Sequence, residues 1–454
     1  MRIRREAARI TPHASPIALL EPPPRSIARA PARAPRVAIV TLGCKLNQAD
    51  SEAIARHLAH AGIDVIDRPA IADAYVINTC SVTHVADRKA RHLVRVARRM
   101  APHAPVVLTG CYVETAGERI GRELGADAAL SNRDKPAIVA LLAEMLPAAL
   151  VAERVARPIA LRTRAFIKVQ EGCNDVCAFC IVPKTRGREA SEPVARVVDE
   201  VLAREAEGVQ EVVLTGTQLG AYGRDAGLTP ADVIRAVLAE TSVPRVRFSS
   251  LQPQDITPHL LALWDDPRLC RHFHLALQSG SDATLRRMRR RYTLDQYREA
   301  VARLRACVGD ALAITTDVIV GFPGETDDEF EESLAFCRET GFAQMHVFPY
   351  SRREGTTASK MPGHVAPDVK RERMQRMLDV ARAARTTFMS RFAGSVMPVL
   401  WERAVGEDGG TPIWDGLTDN YIRVTARSPR DLRNRITAAR LITASDAGFD
   451  GEAL

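Results

Sequence analysis

The chain has 454 residues, 46% hydrophobic but only 5% aromatic, which excludes both a single small domain and a disordered, weakly hydrophobic chain. Its formal net charge of +8 fits a polyanionic partner such as nucleic acid, although an Arg-rich composition alone would give the same balance. Nine cysteines in a chain this long do not make a small secreted disulfide scaffold.

Residues 1–35 are rich in Arg, Ala and Pro and lack a sustained apolar run. They read as a basic extension without a secretory signal, either an arm that touches RNA or a segment with no role. The most apolar later stretch, 137–152, is broken by Glu144 and Pro147 and is too short to cross a membrane. The expectation is a monomer in a reducing cytoplasm, with no membrane partner.

Ordered structure is predicted from Arg36. The β-branched run at 36–41 predicts a buried strand that leads into Leu42-Gly43-Cys44, followed by a helix over 48–60 closed by Gly62. A strand at 74–78 runs into Thr79-Cys80, a basic helix covers 86–100, and a strand at 105–109 runs into Gly110-Cys111. This alternation predicts an N-terminal parallel-sheet α/β domain over 36–148. Ligands of open parallel sheets bind at the carboxyl edge of the strands, so Cys44, Cys80 and Cys111 are expected to converge there.

A linker rich in Ala, Arg and Pro at 147–164 precedes six further strands, at 166–170, 211–215, 246–250, 272–277, 314–320 and 344–348. Helical segments between them include 193–207, 294–308 and 327–340, and a long helix at 367–392 ends the section. The pattern predicts a full or partial (β/α) barrel over 160–392, with its chemistry on the loops after the strands. Short apolar runs at 396–401, 421–426 and 436–441 predict a small β domain over 393–447.

The loop after the first barrel strand carries Cys173, Cys177 and Cys180 in C-x3-C-x2-C spacing. Three such thiolates can hold an iron–sulfur cluster and leave one position open for a substrate. A structural zinc site, which wants a fourth ligand, and unrelated buried cysteines are the alternatives; the place at the barrel mouth argues against both. Thr215, Gly216 and Gln218 follow the second barrel strand, where Gly allows a ligand close approach or merely a tight turn. Ser249 and Ser250 end the third strand and Gln278 the fourth, where polar side chains can bond a nucleoside. Asp317, in a strand of Val and Ile, needs a partner, either an Arg of the protein or a ligand. Cys270, Cys307 and Cys337 read as packed small residues.

Three basic runs border these loops: 286–291 with Arg287, Arg290 and Arg291; Lys184, Arg186 and Arg188; and Arg88, Lys89, Arg91, Arg95, Arg98 and Arg99 on one helix. Such residues neutralise phosphates or simply face solvent.

The cysteine triplet resembles the signature of the radical S-adenosylmethionine superfamily. With Cys44, Cys80 and Cys111, and with the segments TLGCKLNQADSE, INTCSVTHVADRKAR, LTGTQLGAYG, FHLALQSGSDATLRRMRRRYT, TTDVIVGFPGET and FPYSRREGT, the chain resembles a methylthiotransferase from Arg36 to about Leu441. The resemblance implies two 4Fe-4S clusters. That of Cys173, Cys177 and Cys180 would bind S-adenosylmethionine and split it to methionine and a 5′-deoxyadenosyl radical, which takes hydrogen from an unreactive carbon of the base. That of Cys44, Cys80 and Cys111 would carry the inserted sulfur, which a second S-adenosylmethionine methylates. Acid–base side chains cannot activate such a carbon, so a cofactor must.

The resemblance further implies that the loop with Thr215, Gly216 and Gln218 holds the amino group of S-adenosylmethionine; from their places in the barrel strands, Ser250, Gln278 and Asp317 read as further contacts, Gln278 ahead of Asp317. It implies a tRNA substrate, a TRAM-like C-terminal RNA module in which Asn434 stands where Gly is expected, and electron and sulfur donors that the sequence does not identify. The segment around Cys44 is most similar to the group that modifies C2 of N6-threonylcarbamoyladenosine next to the anticodon. Other groups modify isopentenyladenosine in tRNA or an aspartate of a ribosomal protein. A carboxylate-bearing substrate would want a cation, and Lys45, Lys184, Arg186 and Arg352 are the candidates. A non-catalytic iron–sulfur sensor or RNA-binding protein would explain the cysteines but not the polar residues at several strand ends.

Overall fold

The computed structural model describes residues 34–117, 119–146, 163–248 and 250–454. Residues 1–33 of the expected extension, 147–162 of the expected linker, and Ser249 lie outside the described residues.

Strands β1 (Arg36–Thr41), β2 (Asp64–Ile66), β3 (Ala74–Thr79), β4 (Val106–Gly110) and β5 (Ala128–Leu130) form a parallel sheet in the order β2-β1-β3-β4-β5. Alternate residues pack on opposite faces, as the strand period requires. Tyr75, Ile77, Val106 and Leu108 meet Ala90 and Val94 of helix α2 (His84–Met100). Val37, Ile39, Val76 and Val107 meet Ile54 and Leu58 of helix α1 (Lys45–His60). Two bounds differ from expectation: α1 starts directly after Cys44 rather than at 48, and Cys111 itself opens a short helix, α3 (Cys111–Ala116). The three-residue strands β2 and β5 carry too little pattern to be predicted.

The second unit begins with β6 (Arg164–Glu171), β7 (Ala190–Ser191), β8 (Glu211–Gly216) and β9 (Arg245–Phe248), ordered β7-β6-β8-β9. It continues with β10 (His272–His274), β11 (Ala313–Val320) and β12 (Gln344–Pro349). Parallel bridges Val246–Leu269 and Leu251–Leu275 link the two sheets. The result is an open barrel of six parallel strands that runs from β6 to β12, with the two-residue β7 paired antiparallel to the end of β6. Helix α1 lies against β6, where Glu52 accepts the Phe166 N–H at 3.1 Å. The N-terminal unit thus covers the barrel's open side. The strand expected over 272–277 stops at His274; the chain then returns to the ladder through Leu275 and Gln278, the latter with a φ of 68°.

Register fixes which side chains face the lumen. Ala165, Ile167, Val212, Leu214, Val246, Phe248, Phe273, Ile314, Val318, Met345 and Val347 join the outer core. The opposite face therefore presents Arg164, Phe166, Lys168, Glu211, Thr215, Arg247, His272, His274, Thr315, Asp317, His346 and Phe348. Barrels of this kind usually fill with Val, Ile and Leu, so this polar lumen is a chamber rather than a packed core.

Strands β13 (Val396–Asp408), β14 (Thr411–Thr418), β15 (Arg423–Arg427), β16 (Ile436–Ser445) and β17 (Gly448–Ala453) close into a small barrel in the order β13-β14-β15-β17-β16. Val399, Trp401, Val424, Leu441 and Phe449 fill it. The expected end at 447 omits β17, whose sequence GFDGEA mixes glycines and acids and hides the strand. Asn434, with a φ of 59°, occupies a left-handed position that Asn tolerates, and its Nδ2 donates to Gly208 O at 2.8 Å. The small barrel docks on the floor of the large one: Arg245 donates to Leu417 O and Pro398 O at 2.9 and 2.8 Å. No described helix is long and apolar enough to cross a membrane.

Candidate active site

Cys44, Cys80 and Cys111 follow β1, β3 and β4 directly or within three residues. Their strand ends are stitched together by side chains. Asn47 Nδ2 donates to Leu42 O and Thr79 O at 2.6 and 3.0 Å, and Thr79 Oγ1 donates to Thr109 O at 2.5 Å. A Cβ on Gly43 would lie 2.7 Å from Cys80 Cβ and 3.0 Å from its Sγ, so only glycine lets the Cys44 loop close on Cys80. Burial pushes the Cys80 thiol up to about 11, and Cys111 and Cys44 add to the shift. Cys44 is exposed.

The second triplet lies on the loop after β6. Gly172, with a φ of 73°, has Arg188 O 1.9 Å from where a Cβ would stand. Cys173 N–H donates to Gly187 O at 3.1 Å, which folds the loop back on itself. The Cys173 thiol donates to Gln218 Oε1 at 3.0 Å. Burial pushes Cys173 up to about 11 and Cys180 up to about 12, with Cys177 adding to both. Among the described residues, no group of His, Cys, Asp or Glu side chains closes on a point as the ligands of a single metal ion would.

The two triplets share one junction. Helix α3, which Cys111 opens, packs on the turn Val182–Thr185, and Asn132 Nδ2 donates to Thr185 O at 2.7 Å. Asp50 on α1 collects Lys135 at 2.5 Å, Arg186 at 2.8 Å and Lys168 at 3.2 Å. Burial alone would raise the Asp50 carboxyl, but these three cations hold it well below the usual carboxylate range. Beyond the junction, Arg353 pairs with Asp87 of α2 at 2.6 Å.

Around the second triplet, Thr215 and Gly216 end β8. Thr217 Oγ1 and Gln218 Nε2 are buried with no hydrogen-bond partner among the described residues. Ser250 and Gln278 both have positive φ, 72° and 68°, a strained backbone that clusters at functional sites. Asp317 meets a histidine rather than the expected Arg or ligand: His274 Nε2 lies 3.4 Å from its Oδ2. Burial raises this carboxyl, but His274, His346 and Lys45 together outweigh it and the net shift is downward. Phe348 and His346 remain exposed on the same lumen face, 42% of Phe348 being accessible.

The floor is ionic and closed. Arg247 and Glu211, both fully buried, pair at 2.9 Å. Tyr421 of the small barrel stacks on His272 with centroids 4.7 Å apart and receives the Arg247 guanidinium at 4.7 Å. Lys45, first residue of α1, reaches the same floor, with Nζ 5.9 Å from the Tyr421 ring. Burial lowers its ammonium, with Tyr421 opposing.

The run at 286–291 needs correction. Arg287 is tied to Glu329 at 2.9 Å. Arg290 turns inward: it packs on Tyr292 and donates to Cys177 Sγ at 3.4 Å. Neither is free for phosphate. Arg291 stays exposed, paired with Asp175 at 3.1 Å. Among the cations proposed for a substrate carboxylate, Arg186 is consumed by Asp50 and Glu171, and Lys184 and Arg352 are exposed. Sequence reasoning missed His274, His346 and Phe348; period-two alternation along β10 and β12 was the available signal. Cys270 and Cys337 are buried as expected, while Cys307 is exposed.

A six-stranded partial barrel with a three-cysteine loop after its first strand defines a radical S-adenosylmethionine protein. The Radical SAM superfamily profile matches residues 167–337, and "Uncharacterized protein family UPF0004" matches residues 36–131. The chain is 34% identical over 432 residues to the Bacillus subtilis (strain 168) protein named threonylcarbamoyladenosine tRNA methylthiotransferase MtaB, covering 92% of this chain and 96% of that one. It is 36% identical over 433 residues to the tRNA-2-methylthio-N(6)-dimethylallyladenosine synthase of Sorangium cellulosum (strain So ce56), covering 85% and 86%. Among solved structures, the radical S-adenosylmethionine methyltransferase TsrM of Kitasatospora setae aligns with a TM-score of 0.51 at 14% identity, over 72% of this chain and 77% of that one; this likeness concerns the fold alone. The chain belongs to the radical S-adenosylmethionine methylthiotransferase family.

Membership implies a 4Fe-4S cluster and S-adenosylmethionine, and the second triplet fits them. Its thiols are free, its loop is held by backbone bonds, and the buried, unpartnered Thr217 Oγ1 and Gln218 Nε2 are polar atoms that a ligand would satisfy.

Proposed function

We propose that this chain inserts a methylthio group at C2 of N6-threonylcarbamoyladenosine beside the anticodon of tRNA, using two 4Fe-4S clusters. Cys173, Cys177 and Cys180 would hold one, and Cys44, Cys80 and Cys111 the other. The observation that carries this reading is the meeting of two free cysteine triplets at one junction, above a single polar chamber. A one-cluster protein would have no use for the first triplet, whose close approach costs two buried thiols, Cys80 and Cys111, and an obligatory glycine at 43.

When bound, the cluster and S-adenosylmethionine supply a radical able to take hydrogen from an unactivated base carbon. The chain's own residues have simpler tasks. Gln218, Thr217 and Thr215 would hold the polar groups of S-adenosylmethionine, and Ser250, Gln278 and Asp317 line the same rim. Arg290 sets a cation against Cys177. Phe348 offers a face on which a base can stack. Tyr421, Arg247 and Glu211 close the floor against water, which matters for a reactive intermediate.

The substrate base rests on the relatives' names, which divide between two modifications. A chamber lined by Asp317, His274, His346 and Lys45 suits a side chain with a carboxylate and a hydroxyl better than an apolar isopentenyl group. The reconstituted protein, offered equal amounts of tRNA carrying either modification, is expected to convert the threonylcarbamoyl form preferentially, read by mass spectrometry of digested nucleosides. Preference for the isopentenyl form would overturn the substrate while leaving the methylthio chemistry standing.

A further inference from the structure

We propose that Lys45, a residue of the N-terminal unit, is the anion-reading residue of the barrel lumen: its ammonium receives the carboxylate of the substrate base's N6 substituent. The proposal rests on the substrate reading above.

Three observations carry it. The first is placement. Lys45 opens α1, the helix that lies against β6 and β8, and its side chain reaches to within 5.9 Å of the Tyr421 ring on the lumen floor. It therefore belongs to the chamber although its backbone belongs to another unit.

The second is an imbalance of partners. Every other lumen-facing cation is engaged. Arg247 holds Glu211 at 2.9 Å, Arg164 holds Glu402 at 2.7 Å, Lys168 holds Glu171 at 3.0 Å and Asp50 at 3.2 Å, and Arg245 is spent on carbonyls of the small barrel. Among the described residues Lys45 alone of these cations has no carboxylate within ion-pair distance and no hydrogen-bond acceptor. A half-buried ammonium left so is costly unless something arrives to meet it.

The third is the wall it faces. Asp317, His346 and Phe348 lie on one side of β11 and β12, with a third of the Asp317 side chain still accessible. Phe348, nearest the strand end, offers a stacking face, and Asp317 and His346, partners of one register pair two positions deeper, offer an acceptor and a donor. A base held at the mouth would direct an acidic substituent down toward Lys45, and Asp317 would accept from its hydroxyl or amide hydrogens. An apolar substituent would leave the ammonium without a partner.

The test separates the residue from the substrate. The clusters are reconstituted, and affinity is measured for anticodon stem-loops carrying the threonylcarbamoyl substituent either as carboxylate or as carboxamide. In the wild type the carboxylate loop should bind roughly ten- to hundred-fold more tightly, as expected for a charge-assisted contact. Lys45→Met should erase that gap, and Lys45→Arg should retain part of it. No gap in the wild type, which requires no variant, or an undiminished gap in Lys45→Met, overturns the proposal. Iron content, measured in parallel, guards against damage at neighbouring Cys44; Lys45→Gln replaces Lys45→Met should the latter lose iron. The competition between tRNA forms is independent: a wild type that prefers isopentenyl tRNA sinks the substrate reading, whereas one that prefers the threonylcarbamoyl form with its gap intact in Lys45→Met sinks Lys45 alone.

Discussion

Single thiols in this protein sit where their ordinary chemistry is suppressed. Burial holds Cys80, Cys173 and Cys180 near 11, 11 and 12, so at neutral pH without metal they are protonated and inert. Iron must displace those protons to bind, which ties reactivity at each triplet to metal loading. If the triplets load independently, replacing Cys173, Cys177 and Cys180 together by Ala should leave about half of the wild-type iron and sulfide. Metal analysis of anaerobically reconstituted protein checks it, and loss of all iron would mean that Cys44, Cys80 and Cys111 form no site of their own. The cysteines themselves were readable because their positions depend on local strand ends and on one short loop. Arg290 was not. Its neighbours in sequence are all arginines, and only the backbone turn at Arg289, with a φ of 59°, sends one guanidinium inward to Cys177 while Arg286 and Arg291 stay in solvent.

At the level of elements, helix α1 does three jobs that share no sequence signature. Its first residue reaches the lumen floor, Glu52 accepts the Phe166 N–H of β6, and Asp50 binds the N-terminal unit to the cysteine loop. The Asp50 carboxylate is nearly inaccessible and faces three cations, of which Lys135 and Arg186 are themselves buried. Removing it strands positive charge in a poorly solvated junction. Asp50→Asn, which keeps the shape, should therefore destabilise the protein by about 3–5 kcal/mol, seen as a lower urea midpoint for the first unfolding transition. A change under about 1 kcal/mol would mean that water already screens the cluster. Long helices were legible where period and caps agreed. The helices Leu294–Val308 and Asp327–Thr340 match their predicted bounds, each with a Thr capping box. Strands failed where pattern ran out, as at the three-residue β2 and at β14 and β17. The inter-unit role of Asp50 could not be read at all, because its partners lie 85, 118 and 136 residues away.

For the molecule as a whole, the question is where a polyanion would lie. The densest basic run, 286–291, has three of its five arginines committed to partners within the protein, Arg287 to Glu329, Arg290 to Cys177 and Arg291 to Asp175. The better surface is α2. Arg88, Lys89, His92, Arg95 and Arg99 are exposed, and among the described residues none of them has an ion-pair partner. Arg91 and Arg98 are instead tied to Tyr112 at 2.9 Å and Asp127 at 2.6 Å. Spacings of four, three and four put Arg88, His92, Arg95 and Arg99 on one stripe. The stripe starts beside Cys80 and leads away from the junction of the two triplets, a course suited to an RNA backbone whose modified base enters the chamber. Replacing Arg88, Arg95 and Arg99 by Glu should weaken tRNA binding across sequences alike and flatten the dependence of log affinity on log salt by roughly 2–3 units, one lost phosphate contact each. The iron content should not change, since none of the three touches a cysteine loop. Filter binding between low and moderate salt provides the measurement. An unchanged slope would leave α2 a solvated face and move the search for the RNA track to Lys184, Arg188 and Arg352, the exposed cations around the cysteine loop.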